Sequence, residues 1–349
     1  MSPTGSRRGW LAVRKTLSSR RELALAVFSF VLPLLVWSAL SYVPFIWHPY
    51  MRVTDAGSGG YAVGSLVERA TFAEEVRLAQ AEGRAAAVGV PANPVYLPAP
   101  HEVVQALYTA FKTPPRLPTE PWLHQSLGHS LKVILWGFLL SSLVGIPLGI
   151  LCGSFSFFSK LTEPFIEFFR YLPAPAFGAL CVAILGIYDA PKVAVIFIGT
   201  FFQQVLVVAN TTRRLDLCLI EAAQTLGASR KQLVTKVVVP GVIVDLYTDT
   251  RILLGWAWTY LMVAELVGTT TGITYFINQQ ARYRNYANVY AGIALIGLIG
   301  LSSDLVLAWI GRRLFPWQPR AGRVSLGAAL RAFLPARAGE AAPPEATAA

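Results

Sequence analysis

Apolar residues run in six long blocks along the chain, with polar and charged residues collected between them. The blocks are Leu23 to Ile46, Leu127 to Gly153, Phe165 to Ile187, Val193 to Val208, Gly241 to Val267 and Val289 to Ile310. A bilayer core about 30 Å thick takes roughly 20 apolar residues of helix, because a helix satisfies its own backbone there. The pattern predicts six transmembrane helices and an all-α integral membrane fold. Pro173 and Pro175 interrupt the third block, and such a break is tolerated only where the freed backbone is buried in protein or lines a wet cavity. That makes the third span a candidate wall of a passage. In the second block Gly145, Gly149 and Gly153 recur every four residues, a ladder that lets two helices approach closely.

Composition supports the membrane reading. The 349 residues are 54% hydrophobic and 14% charged, well below the roughly 25% charged of a soluble domain. A net charge of +11 raises nucleic acid as a partner, but Lys and Arg gather at the ends of apolar blocks rather than over one soluble face, so none is expected. With the N-terminus inside, eighteen Lys and Arg fall on the cytoplasmic side, in the N-tail, at Lys160, between Arg213 and Lys236, and after Ile310. Nine fall outside: Arg52, Arg69, Arg77, Arg84, Lys112, Arg116, Lys192, Arg282 and Arg284. The positive-inside rule then puts both termini in the cytoplasm. Ser6 to Leu11 looks like a twin-arginine export signal, yet the following apolar run is too long and lacks a small-residue cleavage site, so an uncleaved span is expected.

The organisation that follows is a basic cytoplasmic N-tail (1–22), a first span (23–46), a periplasmic loop with short helices (47–126), a five-span core (127–315) and a disordered cytoplasmic tail (316–349). The core contains a cytoplasmic loop at 211–240. Within the tail, Val324 to Leu334 form a candidate amphipathic helix for anionic lipid. Cys152, Cys181 and Cys218 fall in or beside apolar segments and read as small buried hydrophobes. His101-Glu102-Val103-Val104-Gln105 approaches a zinc-protease pattern, but Gln105 replaces the second histidine, so no metal is expected.

The charged island Glu221 to Pro240, EAAQTLGASRKQLVTKVVVP, stands out against this background. Glu221, Ala222 and Ala223 favour helix, Gly227 can end it in a left-handed conformation, and Ser229 can cap a second helix whose run Pro240 stops. A helix, a sharp corner and a helix result. The spacing of Glu221-Ala222-Ala223, Gly227 and Pro240 resembles the EAA loop of ATP-binding-cassette importer permeases. Further similarity lies in Glu163-Pro164-Phe165-Ile166-Glu167-Phe168-Phe169-Arg170-Tyr171-Leu172-Pro173-Ala174-Pro175-Ala176, in Thr250 to Gly255, in Val263 to Gly268, in Arg312 to Trp317, and in Leu97 to Pro100 before a helical Glu102 to Phe111. Together these resemble the nitrate, sulfonate, taurine and bicarbonate class of such permeases over Leu97 to Trp317. Two departures stand out. The segment from Trp47 to Val95 is long, with a helix expected over Ser65 to Ala87, and Gln203 replaces a proline after Phe201-Phe202.

The resemblance implies the type I importer permease fold and a homodimer in a bacterial inner membrane. It also implies a cytoplasmic ATPase dimer carrying ATP and Mg2+, and an external solute-binding protein. The chain itself would be a non-catalytic subunit that binds no cofactor, and no Gly-x-x-x-x-Gly-Lys-Ser/Thr occurs in it. The residues implied in coupling to the ATPase are Glu221, Ala222, Ala223, Leu226, Gly227, Ala228, Ser229, Arg230 and Pro240. The solute expected is a small anion such as a sulfonate, nitrate or bicarbonate. Alternatives are a neutral or heterocyclic nutrient precursor carried by the same scaffold, or an ATP-independent transporter or channel.

Ionisable groups inside a membrane are costly and mark candidate functional positions. Arg170, Arg251 and Asp304 lie at similar depths, about ten residues from the cytoplasmic ends of their spans. Arg251 and Asp304 can pair to fix packing or contact solute. Arg170 is either neutralised by Glu163 and Glu167 on its own helix or presents its fork of donors to an anion beside Pro173. Gln203, Gln204 and Asn210 can bind solute or join helices. Glu265 reads as part of an outer gate or as a plain interfacial carboxylate.

Overall fold

The computed structural model describes residues 19–43, 49–58, 60–93, 96–115, 117–118, 120–266 and 271–317. Most of the basic N-tail, the tail after Trp317 with its candidate helix Val324 to Leu334, and Val267 and Gly268 lie outside them. Two compact units divide the chain. The first contains α1, Ser19–Tyr42, an apolar helix long enough to cross a membrane. The second, His48–Gln318, contains every other described element.

Within the second unit, three helices pass the length and composition required of a span: α4 (Leu123–Ser154), α7 (Asp189–Arg213) and α12 (Tyr286–Leu314). A fourth apolar stretch is broken. Helix α5 (Ser156–Phe169) ends just before Pro173, a 3-10 turn covers Ala174–Phe177, and α6 (Gly178–Leu185) departs at 85°. Proline disfavours helix at the preceding residue and supplies no N–H of its own, so Pro173 and Pro175 end the helix together. The bend is sharper than an interrupted Phe165 to Ile187 span implies, and its first arm starts nine residues earlier, at Ser156. The expected fifth span is α10 (Val239–Ala264), whose 26 residues rise about 39 Å but carry Asp245, Asp249 and Arg251.

Packing centres on α4 against α7. Val195, Ile196, Val205, Val208 and Ala209 of α7 are wholly buried, and the glycine ladder supplies their close approach. A Cβ at Gly149 would fall 2.6 Å from Cβ of Val208, and one at Gly153 would fall 2.5 Å from Cβ of Thr212. Among the three cysteines, Cys152 and Cys181 are buried as expected. Cys218 is exposed, on α8 (Leu217–Thr225), because that helix buries none of its residues.

The segment after α1 holds more than helices. Strands β1 (Tyr50–Asp55), β2 (Leu66–Glu68) and β3 (Val88–Ala92) form an antiparallel sheet in the order β2-β1-β3, with Arg52 opposite Leu66 and Val90. Helix α2 spans Arg69–Ala81 and packs Phe72 on Val53 and Ala87. The helix expected over Ser65 to Ala87 is thus shorter than expected and flanked by strands. Those strands are brief, and β3 contains Gly89 and Pro91, which hides their signal. Helix α3 (Pro100–Ala110) leads into α4, and α11 (Ile273–Arg282) joins α10 to α12.

Candidate functional site

The Glu221 island forms the corner its residues imply. Asp216 caps α8 by accepting from the Cys218 amide at 3.0 Å. At its other end Gly227 has φ +80, and the Ala228 and Gly227 amides donate to the carbonyls of Ala223 (3.0 Å) and Gln224 (2.9 Å). This is the paired closure that a left-handed glycine permits. Ser229 then caps α9 (Arg230–Gln232) by accepting from the Gln232 amide, while Gln232 Oε1 accepts from the Ser229 amide at 2.8 Å. Two rigid caps set back to back hold Leu226 at the tip, 88% exposed. Glu221, Ala222 and Arg230 are also exposed, and Ala223 and Ala228 are half-buried.

Pro240 does not stop the second helix. Leu233–Val238 are π-helical and run straight into α10, with Pro240 in its first turn. The wider i→i+5 turn before it changes the hydrogen-bond register, which lets the run continue past a residue that has no N–H to donate.

The bend after α5 carries Arg170. Ile166 is buried against Cys152 and Val205, and Phe169 stacks on Phe202 of α7 with ring centroids 5.4 Å apart. These anchors fix the end of α5, and Arg170 projects beyond them, exposed, with Nη2 donating to the Tyr171 hydroxyl at 2.9 Å. Glu163 does not neutralise it, because that carboxylate pairs with Arg213. No carboxylate of the described residues lies within 4.0 Å of Arg170.

Most of the other polar groups named above act between helices. Arg251 donates to Asp304 Oδ1 from Nε (3.1 Å) and Nη2 (2.7 Å), joining α10 to α12. Gln204 is buried, accepting from Ser141 at 2.8 Å and donating to Ser142 at 2.9 Å. Gln203 lies half-buried on α7, which runs through it unbroken. Asn210 accepts from Arg213. Glu265, 2% exposed, turns inward: Oε1 accepts from Ser130 of α4 and Oε2 from the Thr274 amide at 2.8 Å. It thereby caps α11. Gly272, with φ +115, makes room for it, since a Cβ there would fall 2.4 Å from the carboxylate carbon.

Beside this cap lies a network that sequence reasoning missed. Lys192, counted above with the external loop charges, is fully buried. Its Nζ lies 3.1 Å from His129 Nε2 and 3.2 Å from the Thr271 carbonyl, and His129 Nε2 lies 3.1 Å from Asp189 Oδ1. The only local hint is Asp189 three residues before Lys192, because the remaining partners come from distant elements.

Comparison with known proteins identifies the family. Residues 145–316 match the family described as "Binding-protein-dependent transport system inner membrane component". A probable ABC transporter permease of Brucella abortus (strain 2308) is 35% identical over 192 residues, 55% of this chain and 77% of that protein. The chain belongs to the ABC transporter permeases. The taurine transport system permease protein TauC of Escherichia coli (strain K12) is 32% identical over 64% of this chain and 81% of its own length. An inward-facing structure of the MetNI methionine ABC transporter superposes with a TM-score of 0.50 at 19% identity, covering 57% of this chain and 97% of that one. As an ABC permease, the chain is a multi-pass membrane transport subunit of a family that works with an ATPase and a binding protein.

Proposed function

We propose that the chain is the six-span subunit of an importer for a small anion of the sulfonate, nitrate or bicarbonate kind, powered by a separate ATPase. Two copies of the chain, set in a bacterial inner membrane with both termini cytoplasmic, enclose the passage, and α10 is the fifth span. The chain performs no chemistry of its own; ATP and Mg2+ sit on the partner ATPase dimer. An external binding protein delivers solute to the end opposite the Glu221 loop.

The observation that carries this reading is the corner between α8 and α9, where Leu226 is 88% exposed on a doubly capped turn. An exposed leucine held rigidly, flanked by Glu221 and Arg230, suits burial in a groove of a partner. An ATPase can drive alternating access only through a surface that contacts it differently in the two states. Arg170 supports the anionic solute, since a guanidinium without a carboxylate partner at the bend offers a fork of donors to a sulfonate or nitrate. The likeness to a taurine permease agrees with that chemistry.

Purification of the chain with its ATPase and uptake into proteoliposomes test the proposal. Leu226→Asp is expected to stay in the membrane, lose co-purification of the ATPase and lose ATP-driven uptake. Uptake by the unaltered protein that follows an ion gradient and ignores ATP would overturn the reading.

A further inference from the structure

Helix α3 ends at Ala110, and Thr113 to Pro115 and Glu120 to Trp122 lie across from α11 before α4 begins. Between them lies a cavity of about 180 Å³, ample for a small organic molecule. Trp122, Tyr275 and Phe276 supply aromatic walls, and Glu120, Gln279 and Gln280 supply polar groups. None of the described lining residues is Lys, Arg or His. Ser126 also lines the cavity; it is 1% exposed, and its hydroxyl has no hydrogen-bond partner.

We propose that this cavity binds the ammonium end of a small organic amine, with Glu120 as its counter-charge and the aromatic walls around it. Glu120 Oε1 accepts from Gln279 and, at 2.9 Å, from the Tyr283 hydroxyl, both neutral donors. No described cation pairs with this carboxylate. A partly buried charge satisfied only by neutral groups gains most from a ligand of opposite sign. Aromatic faces attract the same ligand, because a cation within about 6 Å of a ring centroid meets its negative quadrupole. The unpartnered Ser126 hydroxyl adds an acceptor for an N–H. A free anion finds one carboxylate here and no described positive group.

The cavity sits where a solute would enter. Ser126 and Gly153 are 27 positions apart along α4, about 40 Å of helix rise, and Gly153 adjoins Gln224 and Arg230 of the Glu221 loop. This inference deepens the importer reading and rests on it for its transport role: an amino sulfonate would meet Glu120 with its amine first and Arg170 with its sulfonate later. Binding itself does not depend on that reading.

The test uses the full chain in lipid nanodiscs, with ethylammonium, taurine and ethanesulfonate as calorimetric probes. Ethylammonium and taurine are expected to bind and compete, and ethanesulfonate to bind at least tenfold more weakly. Glu120→Gln keeps the acceptor for Gln279 and Tyr283 and is expected to weaken both amines at least tenfold. Thr113→Phe, on the exposed rim, should block them without touching the core. Equal affinity for ethanesulfonate, no ethylammonium binding, or unchanged affinity in Glu120→Gln would overturn the proposal. Loss of ATP-driven uptake with amine binding intact would instead count against the importer reading alone.

Discussion

Gly227 and Arg170 are single residues whose proposed roles can each be tested by one substitution. At φ +80, Gly227 occupies a conformation that costs an L side chain about 1–2 kcal/mol, more when β-branched. Gly227→Val would open the turn that fixes Leu226. Expression and membrane insertion should stay normal while ATP hydrolysis proceeds without uptake; transport at the unaltered rate would remove the corner from the coupling path. Arg170 is defined by what it lacks, since Glu163 is taken by Arg213. Arg170→Gln keeps a hydrogen-bond donor but removes the charge. Anion uptake should fall about tenfold, about 1.4 kcal/mol of lost interaction, with unchanged protein levels, and normal uptake would return Arg170 to a surface role. Both residues are legible in the sequence because their determinants are local: a glycine between two helix signals, and an arginine ahead of two prolines. Lys192 was not legible, because what buries it are His129 and Thr271, 63 and 79 positions away.

At the scale of elements, the seam between α4 and α7 depends on missing side chains. Gly149 meets Val208 so closely that a methyl group has no place. Gly149→Ala should therefore lower the thermal midpoint, at a cost of about 1–3 kcal/mol for an overpacked contact. An unchanged midpoint would show that the seam can yield. The four-residue repeat of glycines announces this contact in the sequence, and depth along the spans places Arg251 beside Asp304. Hydrogen-bond register is not readable in the same way. Pro240 looks like a terminator when only residues to its N-terminal side are considered, yet the π-helical turn at Leu233–Val238 carries the chain past it. The small sheet escapes for a related reason: β2 has three residues, too few to show an alternation, and its identity comes from pairing with β1.

For the whole molecule, two sites about 40 Å apart on one rod, α4, have separate chemistry: an exposed corner at one end and an aromatic, acidic cavity at the other. Between them the Arg251–Asp304 pair and the Gln204 bonds join neighbouring helices. The three-stranded sheet and α2 make their principal contacts with one another. Replacing residues 49–93 with a short flexible linker should therefore leave the thermal midpoint of the remaining bundle unchanged, and a lowered midpoint would reveal support that its packing does not suggest. A segment whose interior belongs to itself can be gained or lost by a lineage without rewriting the rods behind it. For the same reason it offers a handle: a label placed at Gly60, where an added side chain meets nothing within 4 Å, would report on this segment while leaving the helices behind it alone.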